Sequence, residues 1–171
     1  MLRTLIAAAA LLLAATPASA EVIARTADSF TLSFDVTLET TPGDMVLALE
    51  SVGNWWDGAH TYSGDAANMS LSLDPGGCFC EALPDGKTFE HGHVVVLDDD
   101  HLLLNAPLGP LNGRATKSDL IFRWSDTIRG TTLTMIFVVE GAGLGAFADA
   151  VDGVMGGQFA RLARFVEYGE V

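Results

Sequence analysis

The chain has 171 residues, with 22 acidic against 9 basic side chains and a formal net charge of −13 at pH 7. So acidic a body is repelled by phosphate backbones and anionic headgroups, which excludes nucleic-acid binding as a function class. Residues 21–171 suit one domain with a sizeable core, and no repeat, low-complexity linker or composition break divides them.

In chain order, Met1-Leu2-Arg3 is a short basic start, Leu5 to Ala15 an unbroken apolar run, and Thr16 to Ala20 a small-residue stretch of A-x-A type. That pattern predicts a secretory signal peptide over 1–20, cleaved between Ala20 and Glu21. The run is shorter than the roughly 18 to 20 apolar residues of a membrane span. No cysteine follows it, which argues against a bacterial lipid anchor. The mature chain is therefore expected to be exported, periplasmic or secreted from a bacterium, with no stable membrane insertion after cleavage.

Ser29 to Leu38 alternates apolar and polar residues with period two, predicting a half-buried strand. Thr41-Pro42 reads as a helix cap and first turn, ahead of Met45, Val46, Leu49 and Val52 on one face. After Trp55-Trp56, short strands are predicted at 69–73, 78–83, 89–97 and 101–105, then two longer ones at 115–125 and 131–139. Phe147 to Val166 reads as a long helix with Val151, Val154, Met155, Gln158, Phe159, Leu162 and Phe165 along one face. Gly153, Gly156 and Gly157 inside it each cost about 1 kcal/mol relative to alanine. Their presence suggests close approach to the sheet, room for something between helix and sheet, or an interruption of the helix. Arg161 and Arg164 approach a basic patch in this helix, where cations suit a helix C-terminus. Strands with helices segregated at the ends predict an α+β fold: an antiparallel sheet of about seven strands against a long C-terminal helix.

The stretch Gly76 to His93, "GGCFCEALPDGKTFEHGH", predicts a hairpin about Asp85-Gly86 in which paired residue numbers sum to 171. That register sets Cys80 opposite His91 and Cys78 opposite His93. Two thiols and two imidazoles on one face are a candidate zinc or copper site. The four would form a flat rectangle, however, and a one-residue bulge would turn the histidines to the other face. The same register also sets Glu81 against Glu90, an unfavourable like-charge pair. Cys78 and Cys80 are poor partners for each other, since residues two apart on a strand are about 6.6 Å apart with parallel Cβ directions. Packed cysteines and ordinary cross-strand histidines are the alternative to a metal, and no cofactor is implied.

The element order resembles the helix-grip fold of the SRPBCC, or START-like, superfamily. Trp55-Trp56 after the first helix, "PGGCFCE" at 75–81, "LGPL" at 108–111 and "VDGVMGGQFARLARFVEYG" at 151–169 are similar to its activator-of-heat-shock-ATPase-like and polyketide-cyclase-like branches. The resemblance spans about 29 to 169. It implies a curved sheet wrapped around the terminal helix, with a deep apolar cavity between them for lipids, sterols, polyketides or other apolar molecules. It names a pocket rather than a reaction. The residues expected to line that pocket are Trp55, Trp56, Phe79, Glu81, Val94, Leu103, Phe122, Trp124, Val151, Met155 and Phe159, with Ile136 and Val154 facing the same space. In the resembling family the phenylalanine of this strand points into the cavity.

Glu81 shares the face of Phe79. A carboxylate in an apolar cavity has its charged form disfavoured and can serve as acid or base near neutral pH, whereas at the rim it is simply solvated. His60, following the tryptophan pair, stands where it can meet substrate or hydrogen-bond its own loop. Glu81, His91 and His60 are thus the candidate catalytic residues of a cyclase- or hydrolase-type enzyme. No G-x-S-x-G, H-E-x-x-H or phosphate loop is present. Three readings follow: an exported binding protein for an apolar small molecule or lipid, an enzyme acting in the same cavity, and a metal-binding protein.

Overall fold

The structure, a computed structural model, describes residues 21–171; the expected signal peptide lies outside them. Eight antiparallel strands form one sheet: β1 Glu21–Arg25, β2 Ser29–Leu38, β3 Met69–Leu71, β4 Cys78–Ala82, β5 Thr88–Leu97, β6 His101–Asn105, β7 Lys117–Thr127 and β8 Gly130–Glu140. Their spatial order is β1-β2-β8-β7-β6-β5-β4-β3. Three α-helices accompany them, α1 Pro42–Glu50, α2 Val52–Trp55 and α3 Ala148–Tyr168. The fold is α+β and of helix-grip type, as expected. Strand β1 adds an eighth member that no alternating pattern announces, because its side chains are mostly exposed.

Local chemistry explains the elements. Thr41 caps α1, its Oγ1 accepting from the Asp44 backbone N–H at 3.2 Å with Pro42 in the first turn. In β2, Phe30, Leu32 and Phe34 are buried, and in β8 Leu133, Met135, Phe137 and Val139 answer them on the same face. The period-two rule also places Leu103 and Ile136 on the outer, half-exposed face, since Leu102, Leu104, Met135 and Phe137 take the inward positions. Both were expected inside. A bulge in β5 between Val94 and Val96 settles the register against β6, where Val94 pairs with Leu104.

Helix α3 closes the concave face through Met155, Gln158, Phe159 and Leu162. Phe159 meets Phe34 with ring centroids 5.7 Å apart, so the middle of the space between sheet and helix is filled. Around Trp55, Phe79, Leu104 and Phe122 only about 10 Å³ of void remains. The deep cavity implied by the resemblance is thus reduced to one end of the helix. Nor do Gly153 and Gly157 leave room inside: both are exposed, and a Cβ built on either meets nothing within 4 Å.

Candidate functional site

The hairpin departs from the expected register by one residue, and that departure builds the site. Cys78 pairs with His93 and Phe79 with Gly92 as expected, but a bulge follows, and Cys80 then pairs with Glu90 and Glu81 with Phe89. The bulge separates Glu81 from Glu90, leaving Glu90 exposed, and turns His91 to the inner face beside Glu81. Like-charge pairing is avoided, and an acid–imidazole pair takes its place. Gly92 makes the crossing possible. A Cβ there would strike the backbone carbonyl of Asn105, the last residue of β6, and the Cα and Cβ of Ala106 just beyond it.

The Cys/His metal face is therefore corrected. Cys78 and Cys80 are joined in a disulfide, their Cα atoms 5.3 Å apart rather than at the full strand spacing expected. His91 is buried on the inner face, while His93 is exposed, with Nδ1 3.2 Å from Glu90. The four residues do not converge, and among the described residues no group of three or more His, Cys, Asp or Glu side chains is placed to hold a metal.

Glu81 is neither a solvated rim carboxylate nor a neutral-pH acid. Its side chain is 0 % exposed, and it accepts from the backbone N–H groups of Tyr62, at 3.0 Å, and Ser63. His91 Nε2 lies 2.8 Å from its Oε2. Burial acts to raise its pKa, but the hydrogen bonds from Ser63, Tyr62 and His91 outweigh that and lower it to about 2. Glu81 is thus an ionised acceptor that ties the 61–63 loop to the hairpin and fixes the imidazole. His91 is enclosed by rings: Tyr62 stacks on it at 5.6 Å, Phe79 lies at 5.4 Å, and Phe89 meets it edge-on at 4.9 Å.

A cavity of about 410 Å³ opens where these elements meet the first turns of α3. Its walls are Trp56, Tyr62 and His91 on one side, the Leu108–Leu111 turn on another, and Phe147, Val151, Val154 and Met155 of the helical segment on the third. Helix α3 also holds the tryptophan loop in place. Gln158 Oε1 accepts from the Asp57 backbone N–H at 2.9 Å, and Arg161 donates to the Trp55 carbonyl at 2.8 Å. The cation expected to serve its own helix end serves the end of α2 instead.

Of the expected lining residues, the structure brings Trp56, Val151 and Met155 to the cavity, together with His60 at its exposed mouth and His91 in its wall. Phe79 and Glu81 stand behind His91. Trp55, Val94, Phe122 and Phe159 are core residues, and Trp124 closes the far end, its Nε1 donating to the Asp99 carbonyl at 2.8 Å. Tyr62, Leu108, Pro110, Leu111, Phe147 and Ala150 were not foreseen as lining. They lie in loops and a first helical turn, where no periodicity marks the inward face.

No protein-family model matches the chain, and no curated protein matches it in sequence. Solved structures do. CalU16 from Micromonospora echinospora aligns with TM-score 0.60 and 13 % identity over 91 % of this chain and 87 % of its own. Protein NE0264 from Nitrosomonas europaea aligns at 0.56 and 16 %, over 80 % and 93 %. The di-domain ARO/CYC protein StfQ of the steffimycin biosynthetic pathway aligns at 0.55 and 12 %, over 83 % of this chain and 52 % of its own. This chain thus spans about half of StfQ. At these identities the likeness establishes the fold.

Proposed function

We propose that the protein is an exported binding protein that holds an apolar small molecule or lipid in the cavity at the N-terminal end of α3. The observation that carries this is the cavity itself: about 410 Å³, walled mainly by aliphatic and aromatic side chains, in a fold whose centre is otherwise filled. Such a volume suits a small, drug-sized molecule, and burying apolar surface is worth about 25 cal/mol per Å². The basic–apolar–small order of residues 1–20 supports export, with residues 21–171 working in the periplasm or outside the cell. Native mass spectrometry of protein recovered from its own periplasm, joined to titration with apolar fluorescent dyes, tests the reading. One co-purified apolar molecule or one dye per chain is expected, and Val151→Trp, which fills the cavity, should abolish it. A broad dye panel that never binds would sink the proposal.

One observation favours a second reading. A carboxylate that fixes an imidazole whose ring lines a pocket is the arrangement of an oriented general base. In a cyclase- or hydrolase-type enzyme His91 would remove a proton from substrate, Glu81 would hold the ring, and His60 would stand at the mouth. Loss of turnover in His91→Gln, with dye binding retained, would favour this reading over binding alone.

A further inference from the structure

We infer that the Cys78–Cys80 disulfide is a redox-active site that exchanges with external dithiols, with His93 relaying the proton. The site lies on the outer face of the sheet, so this activity stands apart from the binding reading above.

The bridge does little as a staple. It closes a loop of only three residues, which constrains an unfolded chain little. Its two residues are held without it, since β4 is hydrogen-bonded into the sheet between β3 and β5. What the pair adds to the strand is chemistry rather than constraint.

The two sulfurs are also unequal. Phe79 and Glu81 take the inward positions of β4, at 2 % and 0 % exposure, which turns Cys78 and Cys80 outward, and neither lines the cavity. Cys78 is partly exposed, whereas Cys80 is buried at 8 %. An incoming thiolate therefore reaches the sulfur of Cys78, and Cys80 is the leaving group.

The third observation is what stands across the strand. His93 is opposite Cys78 and Glu90 is opposite Cys80, so all four share the outer face. Glu90 Oε1 lies 3.2 Å from His93 Nδ1, with both side chains about half exposed. The bulge that sends His91 inward thus leaves a second acid–imidazole pair outside, beside the disulfide. An imidazole held by a carboxylate is suited to moving a proton between sulfurs. The remaining strand neighbours on that face, Ser70 of β3 and Asn105 of β6, do not titrate.

In the exchange, one thiol of the dithiol attacks Cys78 Sγ, and the Cys78–Cys80 bond breaks with its electron pair on Cys80. His93 takes the proton of the incoming thiol and gives it to the Cys80 sulfur. The dithiol's second thiol then attacks its own sulfur in the mixed disulfide, and its proton passes to the displaced Cys78. The dithiol loses two electrons and two protons and becomes a disulfide; Cys78 and Cys80 gain them and become thiols.

The test uses the folded wild-type protein in glutathione buffers of graded ratio, quenched with an alkylating reagent and read by mass spectrometry. The pair is expected to pass reversibly between disulfide and dithiol within the glutathione series, with the circular dichroism spectrum unchanged. Brief exposure to reduced glutathione alone should trap an adduct on Cys78 and not on Cys80. With dithiothreitol as the dithiol, His93→Ala should slow reduction by at least about tenfold, and added imidazole should restore part of the rate. A merely structural histidine would not be rescued in that way. A disulfide that resists the whole glutathione series, and yields only after unfolding in urea, overturns the redox site. Adducts shared equally between the two cysteines overturn the assignment of Cys78 as the attacked sulfur. An unchanged rate in His93→Ala overturns the proton relay.

Discussion

Replacing Glu81 by glutamine separates the two things this carboxylate does: it accepts backbone hydrogen bonds, and it carries a charge in the protein interior. A group whose folded pKa lies at about 2, against 4.5 for an ordinary glutamate, contributes stability that is fully present above pH 4.5. That stability is lost as the pH falls through the folded value. The gap corresponds to roughly 3 kcal/mol, because one pKa unit is about 1.4 kcal/mol. For a domain of this size that is a fall in Tm of roughly 6 to 12 °C for Glu81→Gln at pH 7. Urea unfolding of both proteins from pH 7 to pH 3 isolates the effect, since the other carboxylates cancel in the difference. The wild-type advantage should be constant above pH 4.5 and shrink steadily below it. An advantage that stays flat to pH 3, or one that grows in acid, would mean that the Ser63, Tyr62 and His91 donors do not hold the charged form.

Other outcomes follow from neighbouring features. Gly157→Ala, on the exposed face of α3 with open space at its Cβ, should raise stability by up to about 1 kcal/mol and leave dye binding unchanged. Gly92→Ala should destabilise by about 1 to 3 kcal/mol or more, measured by chemical unfolding, because its Cβ would enter the β6 backbone. Burial, together with the Asp149 charge, raises the pKa of Asp152, so Asp152→Asn should stabilise the protein at pH 7 and lose that gain in acid, below both pKa values. Thiol titration of unfolded, unreduced protein should find no free cysteine. Reduction should cost only about 1.5 kcal/mol, since the Cys78–Cys80 bridge closes a three-residue loop.

The fold was legible because its signals are periodic. The alternation of Ser29–Leu38, the Thr41-Pro42 cap and the apolar stripe of 151–165 each follow from one element's own repeat, and each lies where it was expected. Leu103 and Ile136 show the limit of that legibility. Leu102-Leu103-Leu104 and Met135-Ile136-Phe137 are apolar at every position, so either parity could face inward, and packing against the core selects Leu102, Leu104, Met135 and Phe137. The helix glycines mislead for a related reason. A glycine marks an absent side chain without saying on which side of the helix it is absent, and Gly153 and Gly157 turn out to face solvent.

The candidate site depends on the same kind of one-residue choice. Without a bulge, the hairpin would place His91 with Cys80 and leave Glu81 facing Glu90, an anion pair beside the core. With the bulge, Glu81 gains His91 and two backbone donors, and Glu90 goes to solvent. A buried charge is tolerated only when it is paired and hydrogen-bonded, so the electrostatics of Glu81 and the geometry of the bulge are one problem with one solution. Gly92 is the residue that permits this solution, because any side chain at the crossing would hold β5 away from β6. The like-charge conflict was visible in the sequence. Its resolution was not, because it required knowing that the 61–63 loop folds back over β4 to supply the donors. The polar wall of the cavity is thus assembled from a loop and a bulge, while the regular elements supply the apolar remainder.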